Sequence, residues 1–233
     1  EFYNSDFEGT LFPMATCQFI IENAYDELDI YLKKVANPQE RAYCFLSQQV
    51  VYASKAKQHL RRTKKLDPIA EFYMYQMAYE NRTIFNRSQK EERLSFGYKF
   101  KDGKVVAINE SFLEFNKQLD AIKSKYKYYI QFDISSYFNS IYHHDLINWF
   151  ASCGVSTSEV ELLGQFMREI NGGFSIDFMP HGIYPSKMLG SHFLYIDYSM
   201  LVKSEEMCRF MDDFIIASDS KETVTKDFQT IQK

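Results

Sequence analysis

Glycine and proline are scarce in this sequence, with nine and five residues among 233. Their combined share is about half the usual one, which excludes a collagen-like chain and argues against long linkers or disorder. No apolar run approaches the roughly 18–20 residues that a membrane-spanning helix requires, so no membrane partner is expected. No charged segment followed by an apolar one opens the sequence, so nothing indicates a secretory signal peptide.

The four cysteines are widely separated, without a C-x-x-C pair or a histidine at metal-binding spacing: Cys17, Cys44, Cys153 and Cys208. A disulfide framework or a zinc site is therefore not expected, and a reducing, intracellular environment is the expectation. Because the sequence begins with Glu1 rather than Met, we expect it to be part of a longer chain.

Charge is unevenly distributed along the chain, although the net charge is only −4. Residues 1–40 hold eight acidic residues against two lysines, whereas residues 41–66 hold seven basic residues and no acidic one. Two interpretations of the basic run stay open. It is either the solvated face of a helix or a local site for phosphate groups.

Apolar spacing predicts helices over residues 17–35 and 39–60, and Asp67 followed by Pro68 is typical of a helix start. Residues 94–107 resemble two short strands around Asp102 and Gly103, a strong hairpin signal.

Residues 128–134 are β-branched and aromatic, which predicts a buried strand. Helical spacing follows from Tyr137 to Gly154, and Ser156 opens a further helix that ends at Gly172. An apolar helix is predicted over 187–203, and residues 207–217 are predicted to form two strands joined by a turn at Asp212 and Asp213. Helices with few, separated strands indicate an α+β fold.

Three aspartates carry the strongest chemical signal. Asp133 ends one apolar run, and Asp212 and Asp213 interrupt another. Carboxylates that meet at one edge of a sheet repel each other unless cations neutralise them. Mg²⁺ and Mn²⁺ prefer oxygen ligands. A protein site with only a few carboxylates suits these ions, because substrate phosphates supply the remaining ligands. Two such ions can activate the attacking oxygen and the leaving oxygen of a phosphoryl transfer.

These acids lie in segments that resemble the motifs of reverse transcriptases. The segment FDISSYFNSIYHHDL (132–146) is similar to the first palm motif, and FMDDF (210–214) is similar to the Y-x-D-D hairpin. HGIYPSKMLGSHFL (181–194) resembles the G-[IL]-P-x-G-x-x-x-S motif, and SFGYKF (95–100) resembles the junction of fingers and palm. The first palm motif, the proline motif and the Y-x-D-D motif occur in the family's order, which makes the combination of three specific although each alone is weak.

The resemblance implies a role for each matching residue. Asp133, Asp212 and Asp213 would be the catalytic acids and would bind the two metal ions, with the carbonyl of Ile134 as a further ligand. Phe138 would be a steric gate that excludes a 2′-hydroxyl, with ordinary core packing as the alternative role. His143 is expected to be structural rather than catalytic.

The nucleotide and the template would be held by two further groups of residues. The incoming triphosphate would lie against bases of the fingers, namely Arg61, Arg62, Lys64 and Lys65, of which about half are expected to face solvent. The template and primer would contact the proline loop, namely Gly182, Tyr184, Pro185, Ser186 and Lys187. This loop departs from the family pattern, because it has one extra residue before the proline, and Lys187 replaces the second glycine. That replacement puts ordinary template handling in doubt.

The resemblance implies an α+β fold with the fingers and palm of a right-hand polymerase and a small antiparallel palm sheet packed on helices. The expected domains are a helical N-terminal region (1–50), fingers (51–125) and palm (126–233). The thumb of the family is expected to lie in a continuation of the chain.

The divergent proline loop and the helical N-terminal region most resemble abortive-infection and defence-associated reverse transcriptases of bacteria. That subgroup implies deoxynucleotide substrates, an RNA that includes non-coding RNA, a DNA product, and either a partner protein or a homo-oligomer. Two alternatives stay open. One is a retron or mobile-element enzyme that copies a dedicated RNA, and the other is a catalytically silent palm that binds RNA or protein.

Overall fold

The computed structural model describes residues 2–7, 12–55, 59–86, 93–173, 178–194 and 201–232. Within these ranges the chain is α+β, as predicted. The elements in chain order are α1 (Ala15–Asn23), α2 (Tyr25–Val35), β1 (Gln49–Lys55), β2 (His59–Lys65), α3 (Pro68–Glu80), β3 (Arg93–Phe96), β4 (Phe100–Lys101), β5 (Lys104–Val105), α4 (Ile108–Lys125), β6 (Tyr128–Asp133), α5 (His143–Ser152), α6 (Thr157–Glu169), α7 (Tyr184–Phe193), β7 (Glu206–Phe210), β8 (Asp213–Ser218) and α8 (Lys221–Ile231). No helix in the described ranges is both long and apolar enough to cross a membrane.

The chain divides into two compact units, and each unit consists of two segments. Unit 1 comprises residues 1–81 and 138–186, and unit 2 comprises residues 82–137 and 187–233. The division predicted from the sequence, at residues 50 and 125, follows different bounds and stays a prediction.

Unit 2 is built on a four-stranded sheet in the order β3-β7-β8-β6. Strand β3 is parallel to β7, and the other two pairs are antiparallel. Because side chains alternate along β8, Ile215 packs with Phe115 and Ile122 of α4, whereas Phe214 and its neighbour Ile216 pack on the opposite face, where α8 lies. The sheet therefore has an apolar core on each face, which holds its strand ends in fixed positions.

Strand β6 differs from its prediction in burial. It lies at the edge of the sheet, and its residues alternate between half-buried and exposed. Tyr128, Ile130 and Phe132 pack toward α8, while Tyr129 on the other face is 45% exposed. The aromatic and β-branched composition indicated a strand correctly, but the expectation that the strand is buried was wrong, because only one of its faces meets a core.

The predicted helix over residues 39–60 is wrong. Instead, β1 and β2 form an antiparallel hairpin in which Gln49 pairs with Lys65 and Lys55 pairs with His59. The run from Val50 to Ala53 has the composition of a strand. Five bases of the run therefore lie on the strands of a β-hairpin and not on a solvated helix face, namely Lys55, Arg61, Arg62, Lys64 and Lys65.

Most predicted element ends agree with the structure. Asp67 accepts a hydrogen bond from the amide of Ala70 at 2.8 Å, and Ser156 caps α6 through the amide of Glu159. The turn between β4 and β5 has Asp102 and Gly103 in the left-handed backbone region, with φ of 51° and 75°. That geometry is typical of the tight turn predicted there.

Three predicted helices have different bounds in the structure. The helix predicted from Tyr137 to Gly154 begins at His143, and residues 137–139 form a separate short 3-10 helix. The helix over 17–35 is divided at Ala24, where φ is −132° and ψ is 33°. The helix over 187–203 begins earlier, at Tyr184, and α7 ends at Phe193. Residues 195–200 of that prediction lie outside the described residues.

Candidate active site

The hairpin of β7 and β8 turns through two residues at one end of the sheet in unit 2. Phe210 pairs with Asp213, so Met211 and Asp212 form the tip. Met211 adopts a left-handed backbone conformation with φ of 57°. The turn is therefore displaced by one residue from the predicted position at Asp212 and Asp213, and Asp213 is the first residue of β8.

The third acid reaches the same end of the sheet from the edge strand. Asp133 ends β6 and lies directly opposite Asp213, and the amide of Ile134 donates to the carbonyl oxygen of Asp212 at 3.1 Å. Paired residues on antiparallel strands present their side chains on the same face, with Cβ atoms about 5 Å apart. Asp133, Asp212 and Asp213 are therefore gathered where two strand pairs end.

The electrostatics of this group are those of crowded carboxylates. Burial raises the pKa of Asp212 to about 6. A hydrogen bond from its own backbone opposes this shift, whereas the charges of Asp133 and Asp213 and a hydrogen bond with the Asp133 carboxyl add to it. Ionising this carboxyl beside two others is costly. A cation that binds next to it would favour the ionised form and lower its pKa.

The donor set fits a hydrated divalent cation. Within the described residues, no group of three or more acidic, histidine or cysteine side chains is arranged to hold a metal ion by itself. Mg²⁺ in phosphoryl-transfer sites is usually held by one or two carboxylates, and waters and substrate phosphates supply the other ligands. Asp133 and Asp212, joined by a hydrogen bond, offer that number of carboxylates.

A close contact supports the turn that carries Asp212. The hydroxyl of Ser191 donates a hydrogen bond to the sulfur of Met211. Gly97 has φ of 125°, and a Cβ atom there would lie 3.0 Å from the Ser191 hydroxyl oxygen and 3.6 Å from the Met211 sulfur. Both the backbone conformation and the space require glycine at this position. Ser191 therefore holds the Met211 side chain through this hydrogen bond, and the absence of a side chain at Gly97 leaves room for the contact.

A buried arginine fastens the same hairpin to the last turn of α7. Arg209 has no exposed surface, and its guanidinium donates hydrogen bonds to the carbonyl oxygens of Ser191 and, at 3.5 Å, Gly190. The hydroxyl of Tyr137 also donates to the Gly190 carbonyl, at 2.7 Å. The last four carbonyls of a helix lack partners within the helix, so these two side chains satisfy groups that would otherwise be buried without a bond.

The comparison with protein families agrees with this geometry. Residues 94–233, more than half of the chain, match the family model described as reverse transcriptase (RNA-dependent DNA polymerase). The chain belongs to the reverse transcriptase family. The matched region includes the four-stranded sheet apart from Arg93 at the start of β3, and it also includes the three aspartates and α7. The comparison with curated proteins gives no match.

Lys187 of this reverse transcriptase stands where the family motif has its second glycine. It lies in the first half of α7 and is half-buried, and its ammonium nitrogen is 4.9 Å from the centre of the Tyr98 ring. An ammonium group over an aromatic ring is stabilised by about 0.5–1 kcal/mol at such a site. Lys187 therefore interacts with the segment that resembles the junction of fingers and palm.

The four predicted phosphate-binding residues all lie on β2, in unit 1. Lys64 is buried and donates to the carbonyl oxygen of Gln48 at 3.0 Å, and burial, with the charge of Arg62, lowers its pKa. Arg62 and Lys65 are exposed, and Arg61 is half-buried. The hairpin thus offers three of the four side chains to a ligand, while Lys64 has a partner within the protein.

The predicted template residues Gly182, Tyr184, Pro185 and Ser186 are buried in unit 1. The amide of Tyr184 donates to the carboxylate of Asp6, which also accepts from the hydroxyl of Tyr75. Gly182, Lys64 and Lys65 share one cavity of about 30 Å³. That volume has room for about one or two waters, not for a nucleotide. This part of the proline segment is therefore the packed entry to α7.

Phe138 and His143 both lie in unit 1. Phe138 is 8% exposed, its ring centre lies 4.4 Å from that of His181, and its carbonyl accepts from the amide of Met179 at 2.8 Å. His143 is buried and its Nε2 hydrogen-bonds the carbonyl of Phe178, so it has the structural role that was predicted. The steric-gate role of Phe138 stays a prediction.

The sequence analysis did not single out Arg209, Ser191, Gly97 and Tyr98. The available signal was Arg209 itself, a charged residue within an apolar run, because a buried arginine must find hydrogen-bond acceptors. Its partners on α7 are distant in sequence, so no pattern could name them.

Proposed function

We propose that this reverse transcriptase is an active DNA polymerase that adds deoxynucleotides by two-metal nucleotidyl transfer. The observation that carries the proposal is the meeting of Asp133 and Asp212 at the end of the palm sheet, where burial and neighbouring charge raise the pKa of Asp212. Because ionisation of these carboxyls is costly without a counter-charge, the site is suited to bind a cation, and the cation can bind substrate phosphates.

In this proposal Asp133 and Asp212 bind the metal ions, with the Ile134 carbonyl and Asp213 beside them. When bound, Mg²⁺ or Mn²⁺ would stabilise the negative charge on the attacking and leaving oxygens. The oxygen of the primer hydroxyl bonds to the α-phosphorus as the bond to the pyrophosphate oxygen breaks, and the hydroxyl proton passes to solvent. The chain's own contribution is to fix the two carboxylates through the pairing of β6 with β8 and through the bond from Ile134 to Asp212.

The substrate side of the proposal assigns the nucleotide to two groups of residues. Arg61, Arg62 and Lys65, which are not buried, would neutralise the triphosphate, and Phe138 would exclude a 2′-hydroxyl. Lys64 is assigned a supporting role, because its ammonium group already bonds Gln48. The acceptor is a 3′-hydroxyl or a protein hydroxyl, and the template side would involve the proline segment through Lys187, because Gly182 to Ser186 are buried.

The biological role that we propose is anti-phage defence in the bacterial cytoplasm, with a bound RNA and a partner protein or a second copy of the chain. Its support is the divergent proline segment, in which Lys187 replaces the glycine of the motif. A lysine at this position contacts Tyr98 and fills space that the motif leaves free. Template handling that differs from the family pattern is consistent with specialised DNA synthesis.

The test is incorporation of labelled deoxynucleotides by the purified protein with Mg²⁺ or Mn²⁺, with and without co-purified RNA, followed by sizing of the product. We expect incorporation that falls by about 1,000-fold or more in Asp212→Asn, because one ligand and its charge are removed. Asp120→Asn, an exposed carboxyl on α4, is the matched control and should retain full activity.

Failure of the wild type to incorporate any nucleotide, together with undiminished phage protection by a variant carrying both Asp212→Asn and Asp213→Asn, would support the silent palm instead. A product that copies one co-purified RNA and disappears when that RNA is replaced would support the retron-like alternative. Sequencing the bound nucleic acid distinguishes these outcomes.

A further inference from the structure

The ring of His181 lies against that of Phe138, the proposed steric gate, within unit 1. The two ring centres are 4.4 Å apart, and the ring planes are inclined at 48° to each other. Phe138 is buried, whereas His181 is half-buried. Inclined aromatic pairs at such separations are stabilised beyond the burial of their area, so each ring resists displacement of the other. His181 is therefore placed to limit how far the Phe138 ring can move.

The backbone that carries the two rings is fixed by hydrogen bonds. The amide of Met179 donates to the carbonyl oxygen of Phe138 at 2.8 Å. Two residues further along the chain, the amide of His181 donates to the hydroxyl oxygen of Thr63, also at 2.8 Å. Thr63 is fully buried, and a buried bond of this kind is costly to break. The contact between the rings is thus supported from the backbone on both sides.

Thr63 also relates His181 to one basic face of the β1–β2 hairpin. Because side chains alternate along a strand, Arg61 and Lys65 lie on the same face of β2 as Thr63. The bond between Thr63 and His181 shows that this face is turned toward the segment that carries His181. His181 and Lys65 also line the same cavity of about 30 Å³. His181 consequently links the strand that carries bases assigned to the triphosphate with the ring assigned to the sugar.

We propose that His181 is a positioning residue for sugar selection, which supports the Phe138 ring where that ring would meet the sugar. The inference rests on the proposed polymerase function and adds to it a residue that decides how strictly ribonucleotides are excluded. A steric gate discriminates only if its ring cannot yield to a 2′-hydroxyl, because a ring that turns aside at little cost removes the clash. Contact with His181 opposes such turning of the Phe138 ring.

The test measures kcat/KM for ribonucleotides and for deoxynucleotides with the purified protein and Mg²⁺ or Mn²⁺. His181→Ala should raise the ratio of ribonucleotide to deoxynucleotide incorporation by about fivefold, the size expected for loss of one aromatic contact. Its kcat/KM for deoxynucleotides should change by less than about twofold, because the contacts with metal and triphosphate are kept. His181→Phe keeps a planar ring, so its ratio should stay within about twofold of the wild-type ratio.

Combination with Phe138→Leu shows whether His181 acts through the gate. Phe138→Leu alone should raise the ratio by about tenfold or more. Adding His181→Ala to Phe138→Leu should change the ratio by less than about twofold, because the ring that His181 supports is already absent. A merely structural role of His181 would lower both activities alike and leave the ratio unchanged in either background.

His144→Ala is the matched control. His144 also lies beside an aromatic ring, with its ring centre 5.2 Å from that of Tyr142, but it is exposed. This variant should keep the wild-type ratio. If His181→Ala shows no cooperative thermal unfolding, His181→Val takes its place, because valine keeps part of the buried volume. His181→Val should raise the ratio by about threefold, since it lacks the planar ring.

The inference is overturned if the folded His181 variant keeps the wild-type ratio while Phe138→Leu raises it. It is also overturned if the effects of the two substitutions multiply in full, because His181 then acts independently of Phe138. An unchanged ratio in Phe138→Leu overturns both this inference and the gate assignment, and it leaves the two-metal reaction standing. Absence of incorporation by the wild type overturns the polymerase function and this inference with it. Failure of the inference is therefore distinguishable from failure of the proposed function.

Discussion

The backbone amide of Ile134 donates a hydrogen bond to the carbonyl oxygen of Asp212, with 3.1 Å between the two atoms. This bond joins the residue after β6 to the tip of the β7–β8 turn, at the place where Asp133 and Asp213 are paired. The acids are therefore held together by backbone bonding between β6 and the β7–β8 hairpin. Burial, and then the charges of Asp133 and Asp213, raise the pKa of Asp212.

Divalent cations should stabilise the folded protein through this site. A ligand that binds only the native state stabilises it in proportion to the logarithm of its concentration over Kd, by about 1.4 kcal/mol at a tenfold excess. We expect Mg²⁺ or Mn²⁺ to raise the Tm of the wild type by several degrees and EDTA to reverse the effect. Because a proton competes with the cation for Asp212, the increase should be larger at pH 8 than at pH 6.

Asp133→Asn and Asp212→Asn should each lose most of this increase in Tm, whereas the exposed control Asp120→Asn should keep it. An equal Mg²⁺-dependent increase in all variants would place the responsible cation elsewhere. Differential scanning fluorimetry over a range of metal concentrations provides the measurement.

Stability without metal should depend on the ionisation of Asp212. Its pKa is about 6 in the folded protein and about 3.8 when unfolded, so the folded state holds the proton more tightly. The contribution of this group to stability is fully present below pH 4 and is lost as the pH rises through 6. In EDTA at pH 8, Asp212→Asn should therefore be more stable than the wild type by about 1–2 kcal/mol, after allowance for solvent screening.

Urea denaturation at several pH values measures this difference, which should shrink as the pH is lowered to about 4. A variant that is less stable than the wild type at pH 8 in EDTA would contradict the raised pKa. Asp120→Asn should show no such pH-dependent difference.

The sequence predicted the part of the site that depends on local patterns. An apolar, β-branched run that ends in an acid, and a second run interrupted by two acids, are local features of Asp133 and Asp212, and both strands are present. Because the turn residue was inferred from composition alone, its position was displaced by one residue. The left-handed backbone at Met211 determines the turn, and no preference of methionine indicates it.

What could not be predicted depends on contacts between distant residues. The β1–β2 hairpin was predicted as a helix because lysines and arginines are compatible with both structures, and only the pairing of Gln49 with Lys65 decides between them. Likewise, the bonds of Arg209 to the end of α7 require knowledge of where α7 ends. The cost of burying a charge indicates that partners exist but does not identify them.

Phe138 allows a test of sugar selection that separates it from packing. If its ring lies under the sugar, Phe138→Leu should increase the incorporation of ribonucleotides relative to deoxynucleotides by about tenfold or more, since a clash worth about 1.4 kcal/mol is relieved. Phe138 is also 8% exposed, so the variant should lose about 1 kcal/mol of stability.

Phe150→Leu is the matched control, because Phe150 is fully buried in α5 and has no proposed contact with substrate. It should lose comparable stability without any change in the ratio of ribonucleotide to deoxynucleotide incorporation. If both variants keep the wild-type ratio, Phe138 is a core residue and the gate assignment is wrong.

Arg209 should be necessary for the stability of unit 2, because it is buried and donates to the last carbonyls of α7. Arg209→Met keeps most of the side-chain volume and the packing against Phe214, whose ring centre is 5.3 Å from the guanidinium carbon. It removes the donors, so the carbonyls of Gly190 and Ser191 lose bonds while they stay buried. We expect a loss of about 2–4 kcal/mol in the free energy of unfolding.

Arg168→Met, at an exposed position on α6, should change the free energy of unfolding by less than about 0.5 kcal/mol. Arg209→Lys should recover only part of the loss, because a lysine cannot place two donors in the geometry of a guanidinium. Urea denaturation of the three variants measures these differences. If Arg209→Met is as stable as the wild type, the carbonyls of α7 find other donors and the arginine does not fasten α7 to the hairpin.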